Sequence, residues 1–302
     1  MKHRKTFRRG LQYCIYKYPI LTRYLPDRTY LKLMYWVCIG KRLNLKNPKT
    51  FNEKMQWLKL YNRQPEYPAM ADKYAAKKII TDKIGEEYVA KNYAVWDTAE
   101  EIDFDVLPDS FVIKCTHDCG GMVICRDKSE LDREKAREKI ARALKSDYYY
   151  SGREWPYSQI KPRIIAEEYL EDMKTGELRD YKFFTFNGVP KVMFVASERQ
   201  VKNTETKFDF FDMDYNHLDI INGHPNANTP PQKPENFELM KELAAKLSEG
   251  TPHLRVDFYE VNGKVYVGEL TFFHWSGFVP FEPKSWDLQM GEWMDLPREK
   301  MV

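Results

Sequence analysis

The sequence predicts an α+β protein in which a helical N-terminal region precedes a strand-rich body. Three observations lead there. Aromatic-rich stretches up to residue 62 read as helices punctuated by proline, apolar strand-like runs concentrate after residue 110, and Gly-Gly or Asn-Gly pairs join several of those runs.

Residues 11–62 read as helices broken at Pro19, Pro26 and Pro48. Thr50 followed by Glu53 is a capping-box pattern ahead of Met55, Trp57, Leu58 and Tyr61. Residues 71–84 read as another helix, with Tyr74, Ile79, Ile80 and Ile84 as its apolar points, and residues 89–96 as a strand. Phe111–Cys115 and Met122–Cys125 form a hairpin whose tip carries Gly120-Gly121. Ser129 is expected to open a charged helix reaching Lys145. Residues 163–170 read as a strand running into a turn, and residues 180–186 and 191–197 as strands around Asn187-Gly188. The proline-rich stretch 225–234 reads as a loop. Residues 237–248 form an amphipathic helix with Leu239, Leu243, Ala244 and Leu247 on one side. The last pair of strands, 255–261 and 264–271, turns through Asn262-Gly263.

Composition narrows the function classes. Of the 302 residues, 43% are hydrophobic and 31% charged, the profile of a soluble globular chain long enough for two or three subdomains. Aromatics at 15% fill cores and can line a groove for a sugar or a base. A net charge of +3, with no basic stripe interleaved by aromatics, argues against nucleic acid. The odd set Cys14, Cys38, Cys115, Cys119 and Cys125 lacks paired spacing, which points to reduced thiols and a cytoplasmic home. No CxxC occurs, so Cys115, Cys119 and Cys125 do not read as a zinc cluster. The basic start, with Lys2, Arg4, Lys5, Arg8 and Arg9, precedes no long apolar run. Residues 1–40 therefore read as a helical cap on the body or as an arm resting on an anionic membrane at the inner face of the plasma membrane.

The chemistry starts with Asp257 and Glu269, acidic residues inside otherwise apolar strands. Buried carboxylates are costly unless paired or bound to a cation, and Mg²⁺ suits two of them; a surface-facing pair is the plain alternative. A regular two-residue turn sets Asp257 opposite Gly268 and sends Glu269 to the other face. A one-residue bulge near Gly268 brings Asp257 opposite Glu269, and a bulge is expected there. Lys114 ends an apolar strand before Gly120-Gly121, an arrangement that suits a phosphate clamp although it is not a Walker A loop.

In order, Asp72-Lys73, Lys114 with its Gly loop, Glu167-Glu168-Tyr-Leu170, Asp180-Tyr-Lys182, Arg255-Val-Asp257 and Glu269-Leu-Thr271 resemble the ATP-grasp superfamily. Asn47-Pro-Lys-Thr-Phe-Asn-Glu-Lys54, Gln56-Trp-Leu-Lys-Leu-Tyr61, Ala71-Asp-Lys-Tyr74, Asp180-Tyr-Lys-Phe-Phe184 and Ser276-Gly-Phe278 resemble its TupA-like branch, found in the synthesis of teichuronopeptide and other surface polysaccharides. The resemblance implies an ATP-grasp fold of two α+β subdomains clasping ATP. They would be residues 111–165 with the lysine and Gly loop and 166–302 with the metal, after a helical region at 1–62 and a segment at 63–110. It implies ATP and Mg²⁺ as cofactors. Lys73, Lys114, Gly120 and Gly121 would hold the phosphates. Glu167, Glu168 and Leu170 would read adenine and ribose, and Asp180 and Lys182 ribose or acceptor. Asp257 and Glu269 would hold the metal, with Thr271 where many members have Asn, and Arg255 would steady phosphoryl charge. The reaction implied joins a carboxylate to an amine through an acyl phosphate, on small-molecule or glycan substrates, lipid-linked ones included. His274, Trp275 and Ser276 read as acceptor-pocket residues or as a packed loop. Three other readings stand beside this one: a glycosyltransferase holding a metal on Asp212 and Asp214, an ATP-grasp kinase, and a non-catalytic scaffold.

Overall fold

The computed structural model describes residues 2–18, 20–118, 120–173, 177–199 and 204–301; Pro19 and Cys119 lie outside the described residues. The chain opens with helices α1 (Lys2–Lys17), α2 (Ile20–Arg23), α3 (Asp27–Ile39), α4 (Phe51–Tyr61), α5 (Tyr67–Ala71) and α6 (Ala75–Ile84). Strands β1 (Asn92–Trp96), β2 (Phe111–Cys115) and β3 (Met122–Cys125) follow, then α7 (Arg133–Leu144), α8 (Tyr149–Gly152) and β4 (Ile164–Glu168). The remainder comprises β5 (Asp180–Phe186), β6 (Val189–Ser197), β7 (Lys207–Phe211), β8 (His217–Leu218), α9 (Phe237–Ser248), β9 (His253–Val261), β10 (Lys264–Thr271) and α10 (Ser285–Trp293). None of the described helices is long and apolar enough to cross a membrane.

Local chemistry explains most boundaries. The Thr50 hydroxyl accepts from the Glu53 N–H and the Glu53 carboxylate accepts from the Thr50 N–H, so the capping box starts α4 as expected. The stretch 71–84 is not one helix. The Asp72 carboxylate accepts from the N–H groups of Tyr74 and Ala75 and starts α6 afresh, while the Lys73 N–H donates to the Thr116 carbonyl. Nor does Ser129 open α7: Asp127 caps a short 3₁₀ turn, and Asp132 then caps α7 itself. A 3₁₀ turn at Glu86–Tyr88 delays the first strand to Asn92.

Two antiparallel sheets result, one of four strands in the order β1-β4-β2-β3 and one of six in the order β10-β9-β5-β6-β7-β8. The boundaries at 110 and 165 do not follow the smaller sheet, which takes β1 from the preceding segment and has β4 straddling the second boundary. Hydrogen-bonded pairing sets this unit, and pairing partners are distant in sequence. On β2, Phe111, Ile113 and Cys115 are buried toward Ala136 and Ile140 of α7. By the two-residue alternation of a strand, Lys114 points to the opposite face.

The larger sheet also has two different faces. Phe183 and Phe258 pack toward Phe237 of α9. On the other face Phe184, Phe186 and His253 surround Phe51 of α4. Phe51, Phe184 and Phe186 are almost completely buried, and each contributes about 1.5–3 kcal/mol by leaving water. Farther along that face the phenylalanines give way to Lys182, Arg255 and Asp257.

Candidate active site

The charged row is a consequence of register. Lys182 on β5 pairs with Asp257 on β9, and Asp257 pairs with Glu269 on β10. The ladder shifts between Val267 and Glu269, so the expected bulge at Gly268 is present and puts the two carboxylates side by side. A Cβ at position 268 would lie 2.7 Å from the Tyr259 ring, which explains the glycine.

Asp257 is 1% exposed and is held by two cations. Arg255 donates Nε to Oδ1 and Nη2 to Oδ2, both at 2.7 Å, and Lys182 Nζ reaches Oδ2 at 2.5 Å. Burial alone would raise this carboxyl's pKa, but Arg255 and Lys182 outweigh it and hold Asp257 below the usual carboxylate range. Lys182 goes the other way: burial lowers its pKa, and Asp257 offsets only part of that. Arg255 also donates Nη1 to His274 Nδ1 at 2.7 Å and Nη2 to Thr271 Oγ1 at 3.0 Å. Because His274 Nδ1 accepts, Nε2 carries the proton and donates to Asn222 Oδ1 at 2.8 Å. The Asn222 amide is oriented in turn by the carbonyls of Val279 and Pro280. Burial and the facing Arg255 keep His274 neutral, so it positions Arg255 and does not titrate near neutrality.

The smaller sheet faces this row. Glu167 on β4 bridges Lys114 on β2 and, at 2.9 Å, Lys77 on α6. Burial opposes the charge on Glu167, but the two lysines prevail and lower its pKa. Lys73 Nζ donates to the Asp118 carbonyl, and the Asp118 carboxylate accepts from the Gly121 N–H at 3.1 Å, which shapes the Gly loop. A cavity of about 140 Å³ is lined by Lys73, Lys114, Gly120, Gly121, Asp180, Lys182, Arg199, Asp257 and Glu269. Arg199 and Lys182 both pair with Asp180. A second hollow beside it shares Tyr259 and adds Lys77, Glu167 and Leu170. A larger cleft of about 550 Å³ opens on the far side of Glu269 and is shared by Lys182, Arg199, Arg255, Thr271 and His274.

Ten of the expected residues therefore converge: Lys73, Lys114, Gly120, Gly121, Glu167, Asp180, Lys182, Arg255, Asp257 and Glu269, with Leu170 on the neighbouring hollow. Glu168 is not among them. It follows Glu167 on β4, projects from the opposite face and accepts from the Lys91 N–H. Thr271 stands two residues along the ladder from the carboxylate pair, opposite Arg255, from whose guanidinium its hydroxyl accepts. Arg255 is held by Asp257, His274 and Thr271 rather than standing free. Asp212 and Asp214 form a turn in which Asp212 accepts from the N–H groups of Asp214 and Asn216, the ordinary fate of such a triplet.

Lys77, Arg199 and Glu154 also line these cavities and were not expected from the sequence. Lys77 follows Lys73 by four residues, a spacing that could have marked it; Arg199 and Glu154 have no local signal. Among the described residues no group of three or more His, Cys, Asp or Glu could hold a metal ion. Mg²⁺ in nucleotide sites commonly takes one or two carboxylates and fills its shell with phosphate and water oxygens. Glu269, half-buried beside Asp257 and with no protein donor placed on it among the described residues, fits that pattern.

A clasp of two sheets with Lys114 and a Gly loop on one and an acidic row on the other is the architecture of an ATP-grasp protein. A family model described as TupA-like ATPgrasp matches residues 53–295, and the chain belongs to that family. A search of curated proteins gives no match. Among solved structures, D-alanine–D-alanine ligase from Helicobacter pylori is similar at 13% identity and TM-score 0.44, over 81% of this chain and 69% of that one. The enzyme from Bacillus anthracis complexed with ATP is similar at 16% identity and TM-score 0.39, over 68% of this chain; the chain spans about half of it, 54%. The ATP-grasp ligase PsnB complexed with minimal precursor is similar at 10% identity and TM-score 0.41, over 69% and 54%.

Proposed function

We propose that the chain is an ADP-forming carboxylate–amine ligase acting in the synthesis of a bacterial cell-surface polysaccharide. The observation that carries this reading is the Lys182–Asp257–Glu269 row lying under Lys73, Lys114 and the Gly loop, with a separate cleft opening beyond Glu269. Nucleotide phosphates in the first cavity and an acceptor in the second would meet at Glu269 and Lys182.

Lys73 and Lys114 would receive the phosphates, with the Gly121 backbone closing over them. Glu167 holds Lys114 and Lys77 in place until the nucleotide arrives. Mg²⁺ held by Glu269 and Asp257 would neutralise phosphate charge. Arg255 keeps Asp257 ionised and oriented, and Lys182, released in part from Asp257, would steady the acyl phosphate.

Ligase and kinase outcomes separate in one assay. ATP, Mg²⁺ and uronic or amino acids are supplied with and without an amine, and products are followed. Carboxylate-dependent ADP and phosphate, with an amide when amine is present, is the expected result, and Glu269→Ala should lower turnover at least 100-fold. A stable phosphorylated product would favour the kinase. Sugar-nucleotide turnover without ATP use, lost in Asp212→Ala, would overturn both.

Helix α1 supports a lipid-linked acceptor and action at the inner face of the plasma membrane. Its Gln12 and Tyr16 line the acceptor cleft, while Phe7, Tyr13, Ile20, Leu21 and Tyr24 around it are exposed. Residues 1–28 hold eight Lys and Arg and one acidic residue, Asp27, a balance that suits anionic headgroups.

A further inference from the structure

One carboxylate in the acceptor cleft has no part in the chemistry above. Glu154 is 3% exposed, yet it lines the same cleft as Lys182, Arg255 and Glu269. Its Oε1 accepts from the Ser276 hydroxyl, and among the described residues no Lys or Arg nitrogen lies within ion-pair distance of it. Burial raises its pKa, and the more distant Lys59 offsets only part of that. A buried carboxylate without a cation in contact is costly.

The chain goes to some length to keep it there. A Cβ on Gly152 would lie 2.2 Å from Ser276 Oγ and 3.0 Å from Glu154 Oε1, so glycine leaves room for the pair. Arg153 takes a positive φ of 55° and anchors its guanidinium on the carbonyls of Thr22, Arg23 and Leu25. Across the cleft, Trp275 and Ser276 take φ of 48° and 53°. Lys59 and Gln56 donate to the Ser276 carbonyl, and Lys59 also to that of Gly152, which ties the two loops together. Left-handed backbone is strained at non-glycine residues and gathers where geometry serves function.

We propose that Glu154 receives the amine of the second substrate, binding it as an ammonium ion and taking its proton as it attacks; this rests on the ligase reading. The ammonium loses one proton to the Glu154 carboxylate, and the amine nitrogen forms a bond to the acyl carbon. The bond from that carbon to the phosphate oxygen breaks, and phosphate leaves with the electron pair. The second proton lost by nitrogen ends on the departing phosphate as hydrogen phosphate. The substrate class is then a primary amine, such as an amino sugar or an amino acid.

Ethanolammonium serves as the probe, titrated by saturation-transfer NMR into the full chain with MgADP present. The wild type should bind it saturably in the millimolar range. Glu154→Gln, which keeps the shape and the Ser276 contact, should weaken binding at least tenfold with MgADP affinity unchanged. Glu154→Asp should restore part of it, and Ser276→Ala should stay within about threefold of wild type. No saturable binding by the wild type, or equal binding by Glu154→Gln, overturns the proposal. ATP turnover with a carboxylate alone is measured on the same samples and tests the ligase reading separately.

Discussion

Asp257 illustrates what single residues do here. Its charge is favourable only because Arg255 and Lys182 surround it, and it is in turn their nearest carboxylate. Asp257→Ala leaves the buried Arg255 without its carboxylate and Lys182 with only the longer contact to Asp180, and urea unfolding should show a loss of about 3–5 kcal/mol. Acid should weaken the same centre: a carboxyl with a lowered folded pKa contributes stability above its unfolded value of about 3.9, lost as pH falls through the folded one. Lys59 shows the opposite sign. Burial pushes its ammonium down to about 7, against about 10.4 in an unfolded chain. Between those values the unfolded chain binds the extra proton, so stability rises with pH from about 7 to about 10.4. Urea unfolding across that range should show the rise in the wild type and lose that component in Lys59→Met. Asp257 as a site residue was legible because an acid in an apolar strand is anomalous. Glu154 was not, since its burial depends on loops 122 residues apart.

At the scale of elements, the β9–β10 hairpin carries the site. Asn262 and Gly263 both take positive φ, 51° and 82°, as a two-residue primed turn requires, and this much was written in the Asn-Gly pair. Such a turn fixes register near the tip; the bulge at Gly268 resets it before the carboxylates. Gly268→Ala would press a methyl group against Tyr259, costing about 1–3 kcal/mol by overpacking. Thermal melts should show that loss, and a smaller one where Tyr259 is replaced by Leu. Equal losses in the two backgrounds would show that the ring does not dictate the glycine.

For the molecule as a whole, the N-terminal helices belong to the core. Phe51 of α4 sits among Phe184, Phe186, His253 and Phe281, and Gln56 and Lys59 tie α4 to the loop carrying Ser276. Removing residues 1–61 should therefore abolish cooperative unfolding, whereas removing 1–9 should leave the melting curve nearly unchanged. In flotation assays the wild type should bind vesicles containing phosphatidylserine, with binding weakened by salt and by Arg8→Glu with Arg9→Glu. Binding unaffected by either would mean that α1 does not meet a charged surface.

The sequence by itself determined the α+β class, the capping box of α4, the Asn-Gly turns, the glycine bulge and most of the charged residues of the cleft. Each rests on local chemistry: a side chain reaching its own backbone, a dihedral only some residues adopt, or a charge where apolar neighbours make it costly. The tertiary structure alone decided that β1 completes the smaller sheet, that Glu168 faces away, that Thr271 and His274 serve Arg255, and that Lys77, Arg199 and Glu154 join the site. Those outcomes depend on which strands pair and which loops meet, and distant contacts leave no periodic trace along the chain.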